Sequence, residues 1–246
     1  MEIGVRSDVG KVREINEDAV FLSDAYPNGL RIAIVAGGMG GHLAGEVASQ
    51  TAIDTIMEQL HHKLSENNSI ESLENALKLG IMESNSKIFQ QSKEDIQYRG
   101  MGTTVVTAII DSDWIILGHI GDSRAYLVNP TKIVQLTKDH SLVNELLRNG
   151  QITEEEAENH PQKNILTRAL GTDEIVKIDH SVIHWEKDDT LILCSDGLTN
   201  RVNDQMILDY VNNDDFSAQE VADQLVNLAN QAGGEDNISV IIIRHD

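Results

Sequence analysis

The stretch 103-TTVVTAIIDSDWIILGHIGDSRAYLVNPTKIVQL-136 decides the fold. It carries four short aliphatic and β-branched runs, 103–110, 114–119, 123–128 and 132–136, which read as strands. Asp111-Ser112-Asp113 separates the first two runs and Asn129-Pro130-Thr131 the last two, both polar segments of hairpin length. Strands joined that tightly are antiparallel, because a parallel return needs a dozen or more residues.

Further runs of the same kind lie at 31–36 (RIAIVA), 178–184, 189–194 (DTLILC) and 238–243 (ISVIII). Between them the period changes. Over 43–60 the apolar residues Leu43, Val47, Ala48, Ala52, Ile56 and Leu60 recur every three or four positions, and over 71–91 Leu73, Leu77, Ile81 and Ile88 do the same. A third helix is predicted over 217–230, with Ser217 as cap and Val221, Leu225 and Leu228 as its buried stripe. Segment 140–172 is predicted to hold three short helical pieces. Thr153 with Glu156 forms a capping box, Pro161 stops that piece, and Gly150 and Gly171 stand where helices commonly end. We read this segment as an ordered surface insertion. No repeat, low-complexity tract or linker divides the chain, so the expectation is one α+β domain over 1–246, with helices outside and paired sheets inside.

Composition narrows the function. The 246 residues include 40 acidic and 19 basic side chains, giving 19 − 40 = −21, which argues against a general nucleic-acid binder. With 40% apolar and 24% charged residues the chain can build a core, and with only nine aromatics (3 Phe, 2 Trp, 4 Tyr) that core must be aliphatic. The lone Cys194 excludes an intramolecular disulfide and a thiolate zinc cluster and suits a reducing compartment. No charged-then-apolar leader opens the sequence and no apolar run is long enough to span a bilayer, so a soluble cytoplasmic protein is expected. The acidic excess has two readings: a solvated surface, or carboxylates gathered around divalent cations.

Positions favour the second reading. Asp18 in 13-REINED-18, Asp122 in 119-HIGDSR-124, Asp196 in 194-CSDGLTN-200 and Asp236 in 233-GGEDN-237 all fall at the ends of predicted strands. A strand end aims a short carboxylate in a fixed direction, and a neighbouring glycine admits close backbone approach. Taken singly, each is also a common turn dipeptide or an N-cap. Oxygen donors without a Cys cluster or paired-His spacing select Mg²⁺ or Mn²⁺ over Zn²⁺. A fifth strand end, 37-GGMGGH-42, is glycine-rich and precedes a helix N-terminus that could receive an anion, although its spacing matches neither a P-loop nor a dinucleotide fingerprint. Read alone, it is equally a flexible strand-to-helix turn.

Taken with 10-GKVREINEDA-19, 37-GGMGGHLAGEVAS-49, 100-GMGTT-104, 119-HIGDSRAYL-127, 139-DHSLVNEL-146, 164-NILTRALG-171, 194-CSDGLTN-200 and 233-GGEDNIS-239, the sequence resembles the metal-dependent Ser/Thr protein phosphatases, the PPM or type 2C family, in its compact bacterial form. The resemblance implies a four-layer α-β-β-α sandwich, two antiparallel sheets flanked by helices, with 140–172 as the flap that selects substrate. It implies hydrolysis of phosphoserine and phosphothreonine on proteins by a water activated between two Mg²⁺ or Mn²⁺ ions. By the same resemblance Asp196 and Asp236 bind one ion, the carbonyl of Gly38 binds the other, and Asp18 orders metal-bound waters. Asp122 matches the ligand of a third, weaker ion shared with Asp196. Arg13 matches the residue that clamps the substrate phosphate, a task suited to a planar guanidinium, and His42 the general acid that protonates the leaving oxygen. Phosphorylated proteins are then the partners, together with a cognate Ser/Thr kinase, and the protein is expected to act as a monomer without nucleic acid or membrane.

One position departs from the family pattern. Gly37 stands where the family has the aspartate that bridges both ions. Two divalent cations roughly 3.5–4 Å apart then lack their shared counter-charge, so metal occupancy and hydrolysis are expected to be impaired, as in an inactivated variant. The alternative is a pseudophosphatase, a module that binds phosphorylated partners without turnover.

Overall fold

The computed structural model describes residues 1–41, 43–66 and 68–246. Two five-stranded antiparallel sheets form its centre. The first runs in the order β1 (Glu2–Asp8), β12 (Ile238–Arg244), β11 (Thr190–Cys194), β8 (Arg124–Asn129), β9 (Lys132–Gln135). The second runs β10 (Asp179–His184), β7 (Trp114–Ile120), β6 (Val105–Ile110), β3 (Arg31–Ala36), β2 (Ala19–Leu22). Both predicted hairpins are present: β6 pairs with β7 across Asp111–Asp113, and β8 with β9 across Pro130 and Thr131. Residues 121–123 make no hairpin, because β7 and β8 belong to different sheets and this short segment crosses from one to the other.

Alternation along the strands builds three apolar layers. On β3, Ile32, Ile34 and Ala36 pack toward helices α1 (Leu43–Leu64) and α2 (Ile70–Glu94), while Ala33 and Val35 face the opposite sheet. On β12, Ile238, Val240 and Ile242 pack under α6 (Asp204–Val211) and α7 (Ala218–Gln231), while Ile241 and Ile243 fill the space between the sheets. Each such isoleucine contributes about 1.5–3 kcal/mol on burial. The helix stripes are as predicted, except that Leu43 is 63% exposed and lies off the buried face of α1. Tyr126 and Trp185 are the buried aromatics among the described residues, in an otherwise aliphatic core.

Several expectations are corrected. The predicted strand 103–110 is two: β5 (Gly102–Thr103) pairs with β4 (Gly38–Met39) in a separate ribbon, and β6 starts at Val105. The break is made by a group distant in the chain, since the carbonyl of Gly37 accepts both the Thr104 N–H and the Thr103 hydroxyl, each at 3.0 Å. Strands β1 and β2 escape the hydrophobic pattern because each is the edge of its sheet and only half-buried. Segment 140–172 contains two helices rather than three, α3 (Leu142–Arg148) and α4 (Glu154–Glu158), the latter with its Thr153/Glu156 capping box formed. Gly171 ends no helix, for it follows a β-bridge between Thr103 and Leu170.

The registers put the chemistry-bearing loops at one end of the sandwich. Ala19 pairs with Ala36, Val105 with Ile120, Cys194 with both Arg124 and Val240, and Asp8 with Ile238. Residues 18, 37, 121–123, 195–196 and 236–237 therefore leave their strands side by side. No helix among the described residues is long and apolar enough to cross a membrane.

Candidate metal and phosphate site

Asp18 precedes β2, Asp122 lies in the sheet-to-sheet crossing, Asp196 opens the short helix α5 (Asp196–Thr199) after β11, and Asp236 precedes β12. Their charges act on one another. Burial pushes the Asp18 carboxyl up to about 7, with Asp196 and Asp236 adding repulsion against the partial relief from the hydroxyls of Ser195 and Ser239. Asp196 is raised to about 6 by burial and by Asp236, although Asn200 Nδ2 donates to its Oδ2 at 3.0 Å. Asp122 stands well above the usual carboxylate range through burial, Asp196 and Asp139. Asp18 Oδ2 is shut off from solvent and has no hydrogen-bond partner. Three raised carboxyls with Asp236 beside them, one of them with an orphaned buried oxygen, form a donor set suited to a hard divalent cation. Among the described residues, however, no three Asp, Glu, His or Cys side chains already close into a metal cage.

Position 37 borders this gap. A Cβ there would lie 3.5 Å from Asp18 Oδ1, 3.5 Å from Ser123 Oγ and 2.9 Å from Thr104 Oγ1. A side chain would thus enter between Asp18 and the Asp122 turn, meeting only the ends of rotatable groups. Instead the Gly37 N–H donates to Thr104 Oγ1 at 3.0 Å, and that hydroxyl pairs with Ser123 Oγ at 2.7 Å. Gly38 tolerates no substituent, because its Cβ would lie 2.3 Å from the Glu17 carbonyl and 2.4 Å from that of Gly45. The glycine is needed for close approach of three backbone segments, and this brings the start of α1 against the Asp18 loop.

Arg13 reaches the cluster from the loop after β1, with Nη2 2.9 Å from Asp236 Oδ2, while half of its side chain stays exposed. The other candidate, His42, lies outside the described residues.

Sequence reasoning missed the groups that support the carboxylates. Asn237, 5% exposed, accepts the Glu17 N–H at 2.8 Å and donates to the carbonyls of Val9 and Ile15 at 2.9 and 3.0 Å, tying the Arg13–Asp18 loop to Asp236. Arg124 donates Nε and Nη2 to Asp139 at 3.0 and 2.7 Å, a bidentate pair whose two charges both act on Asp122. Both residues sit inside the quoted motifs, 233-GGEDNIS-239 and 119-HIGDSRAYL-127, so adjacency to an acidic strand end was the available signal. Beside the cluster a groove of about 940 Å³ runs between segment 141–164 and residues 199–205, with Asp122 and Asp196 in its wall.

Residues 11–239 match the Protein phosphatase 2C family. The chain is 42% identical over 249 residues to the serine/threonine phosphatase stp of Listeria welshimeri, covering all of this chain and 96% of that protein. It superposes on the serine/threonine phosphatase of S. agalactiae with a TM-score of 0.92 at 36% identity, over all of this chain and 99% of that one. On the catalytic domain of the phosphatase PstP, solved in complex with two manganese ions, the TM-score is 0.83 at 34% identity, over 98% of this chain and 96% of that one.

Proposed function

The chain belongs to the protein phosphatase 2C family, and on that premise we propose that it is a phosphoserine/phosphothreonine protein phosphatase whose hydrolysis is impaired by Gly37. The observation that carries this reading is the gathering of Asp18, Asp122, Asp196 and Asp236 at one end of the sandwich, with Arg13 Nη2 2.9 Å from Asp236 Oδ2. Asp196 and Asp236 would hold one Mg²⁺ or Mn²⁺, the Gly38 carbonyl a second, and Asp122 with Asp196 a third, weaker one. Bound there, such cations supply Lewis acidity and lower the pKa of water.

The chain's own residues do the rest. Asp18, with its unpartnered Oδ2, orders water in the cluster. Arg13 exchanges its single bond to Asp236 for the phosphate, where parallel N–H donors fit two oxygens. His42 protonates the departing serine or threonine oxygen. The flap, residues 140–172, shapes the groove that takes the surrounding polypeptide, and a cognate Ser/Thr kinase makes the phosphorylated substrate.

Gly37→Asp tests this reading. Mn²⁺-dependent hydrolysis of a phosphopeptide should rise by orders of magnitude, and a reverted protein as inert as its parent would sink the assignment.

Gly37 also favours a second reading, a binding module without turnover. It rests on the closed hydrogen bonding of Gly37 with Thr104, which leaves the missing carboxylate unreplaced. In that case phosphopeptide capture depends on Arg13 and is indifferent to Mn²⁺.

A further inference from the structure

His140 touches the Gly121–Asp122 turn in two ways. Its backbone N–H donates to the Gly121 carbonyl at 2.7 Å, and its ring Nδ1 accepts the Gly121 N–H at 3.1 Å. The second bond fixes the tautomer, because an Nδ1 that accepts leaves the proton of a neutral imidazole on Nε2. Nε2 lies 3.3 Å from Asp179 Oδ2, and Arg168 Nη1 lies 3.3 Å from Asp179 Oδ1. Arg168 Nη1 is also 3.2 Å from His140 Nε2, but a guanidinium has no acceptor, so the two donors share the one carboxylate. The His140 carbonyl meanwhile accepts the Thr167 N–H at 2.8 Å. The ring is 4% exposed and lies against His119, with ring centroids 4.8 Å apart, so it has little room to turn.

The turn that His140 grips cannot hold itself by side-chain packing at Gly121. That residue has φ +110°, and a Cβ there would lie 2.4 Å from Thr104 Cγ2, so glycine is required. The turn's geometry is set from outside, on one side by Thr104 and on the other by His140. The next residue is Asp122, whose carboxyl is held up by burial and then by Asp196 and Asp139, and whose direction follows from the turn.

We propose that His140 is a positioning residue for Asp122, clamping the Gly121–Asp122 turn through Gly121 N–H and C=O, with Asp179 and Arg168 holding its ring in the accepting tautomer. Arg168 and Thr167 close the flap, so the same contacts tie the root of the flap to the direction of the Asp122 carboxylate. The proposal rests on the reading of Asp122 as a cation ligand and adds the residue that aims it. Outer partners of this kind typically change metal affinity 10- to 100-fold when removed.

The test is an Mn²⁺ titration followed by electron paramagnetic resonance on the full chain and on its Gly37→Asp form, with hydrogen exchange at the Gly121 amide as a metal-free readout. His140→Ala should weaken the most weakly held class of Mn²⁺ site about 10- to 100-fold and speed Gly121 exchange. His140→Asn, whose Oδ1 takes the place of Nδ1, should restore both, while His140→Gln, whose amide reaches toward Asp179 instead, should restore neither. This Asn/Gln pair decides the matter should the alanine variant not fold. Wild-type Mn²⁺ affinity in His140→Gln, alongside loss of that site in Asp122→Asn, overturns the positioning role and leaves Asp122 a ligand. No change in Mn²⁺ binding in Asp122→Asn overturns the ligand reading and the proposal together.

Discussion

Arg13 Nη2 and Asp236 Oδ2 meet at 2.9 Å across 223 residues of chain, joining the loop after β1 to the loop before β12. An ion pair this exposed is worth only about 0–1 kcal/mol to the fold, since water screens both groups. Its partner can therefore be exchanged at little cost, as phosphate capture needs. Arg13→Ala should leave the unfolding temperature within roughly 2–4 °C of the parent while weakening phosphopeptide binding at least tenfold, about 1.4 kcal/mol. Calorimetric titration beside thermal unfolding separates the two, and a large loss of stability with binding intact would contradict this role.

Charge and shape can be separated at position 37. Asn and Asp occupy nearly the same space, and each must displace the Thr104 hydroxyl that stands 2.9 Å from the Cβ position. Only Asp supplies the counter-charge for two cations. Gly37→Asp should restore Mn²⁺-dependent hydrolysis, whereas Gly37→Asn should remain at the parent's rate. Equal recovery in both would mean that filling the gap, rather than its charge, is what matters.

How far the sequence carried depends on what kind of signal each residue gives. The aliphatic strands and α1, α2 and α7 were legible because their burial is strong enough to impose a period of two or of 3.6. The edge strand Glu2–Asp8 was not, since one of its sides pairs with no other strand and most of its residues are only partly buried. The break at Thr104 was illegible for another reason: it comes from the Gly37 carbonyl, 67 residues away in the chain, and no local pattern encodes that. Similarly, the carboxylates announced themselves at strand ends, but His140 and Asn237 act through backbone groups of distant segments.

Asp18 sets a pH dependence on the metal-free protein. A carboxyl raised from 3.8 to about 7 binds its proton more tightly in the folded state. Its contribution to stability is therefore complete below 3.8 and is lost as pH rises through about 7. Asp18→Asn removes that titration. In chelator, the unfolding temperature of Asp18→Asn relative to the parent should climb across this window and then level off, and Mn²⁺ should narrow the gap by stabilising the parent's carboxylates. Parallel curves for the two proteins would rule out a raised Asp18.

Asn237 is the fixed point between the two halves of the cluster. Its Oδ1 takes the Glu17 N–H and its Nδ2 serves the carbonyls of Val9 and Ile15, all with the side chain almost fully buried. Asn237→Ala strands these main-chain groups, each unsatisfied group costing about 1–3 kcal/mol, and solvent entering the gap recovers part of that. A net loss of about 3 kcal/mol, or roughly 6–12 °C in unfolding temperature, is expected. Asn237→Asp keeps the acceptor for Glu17 but sets an oxygen against the Val9 and Ile15 carbonyls and adds charge beside Asp236, so it should lose at least as much. Both variants should also bind Mn²⁺ more weakly, because Asp18 and Asp236 no longer share one anchor. A thermal melt of Asn237→Asp matching the parent would show that the two donor bonds carry no weight, and that the Arg13–Asp18 loop is held to the sandwich by other contacts.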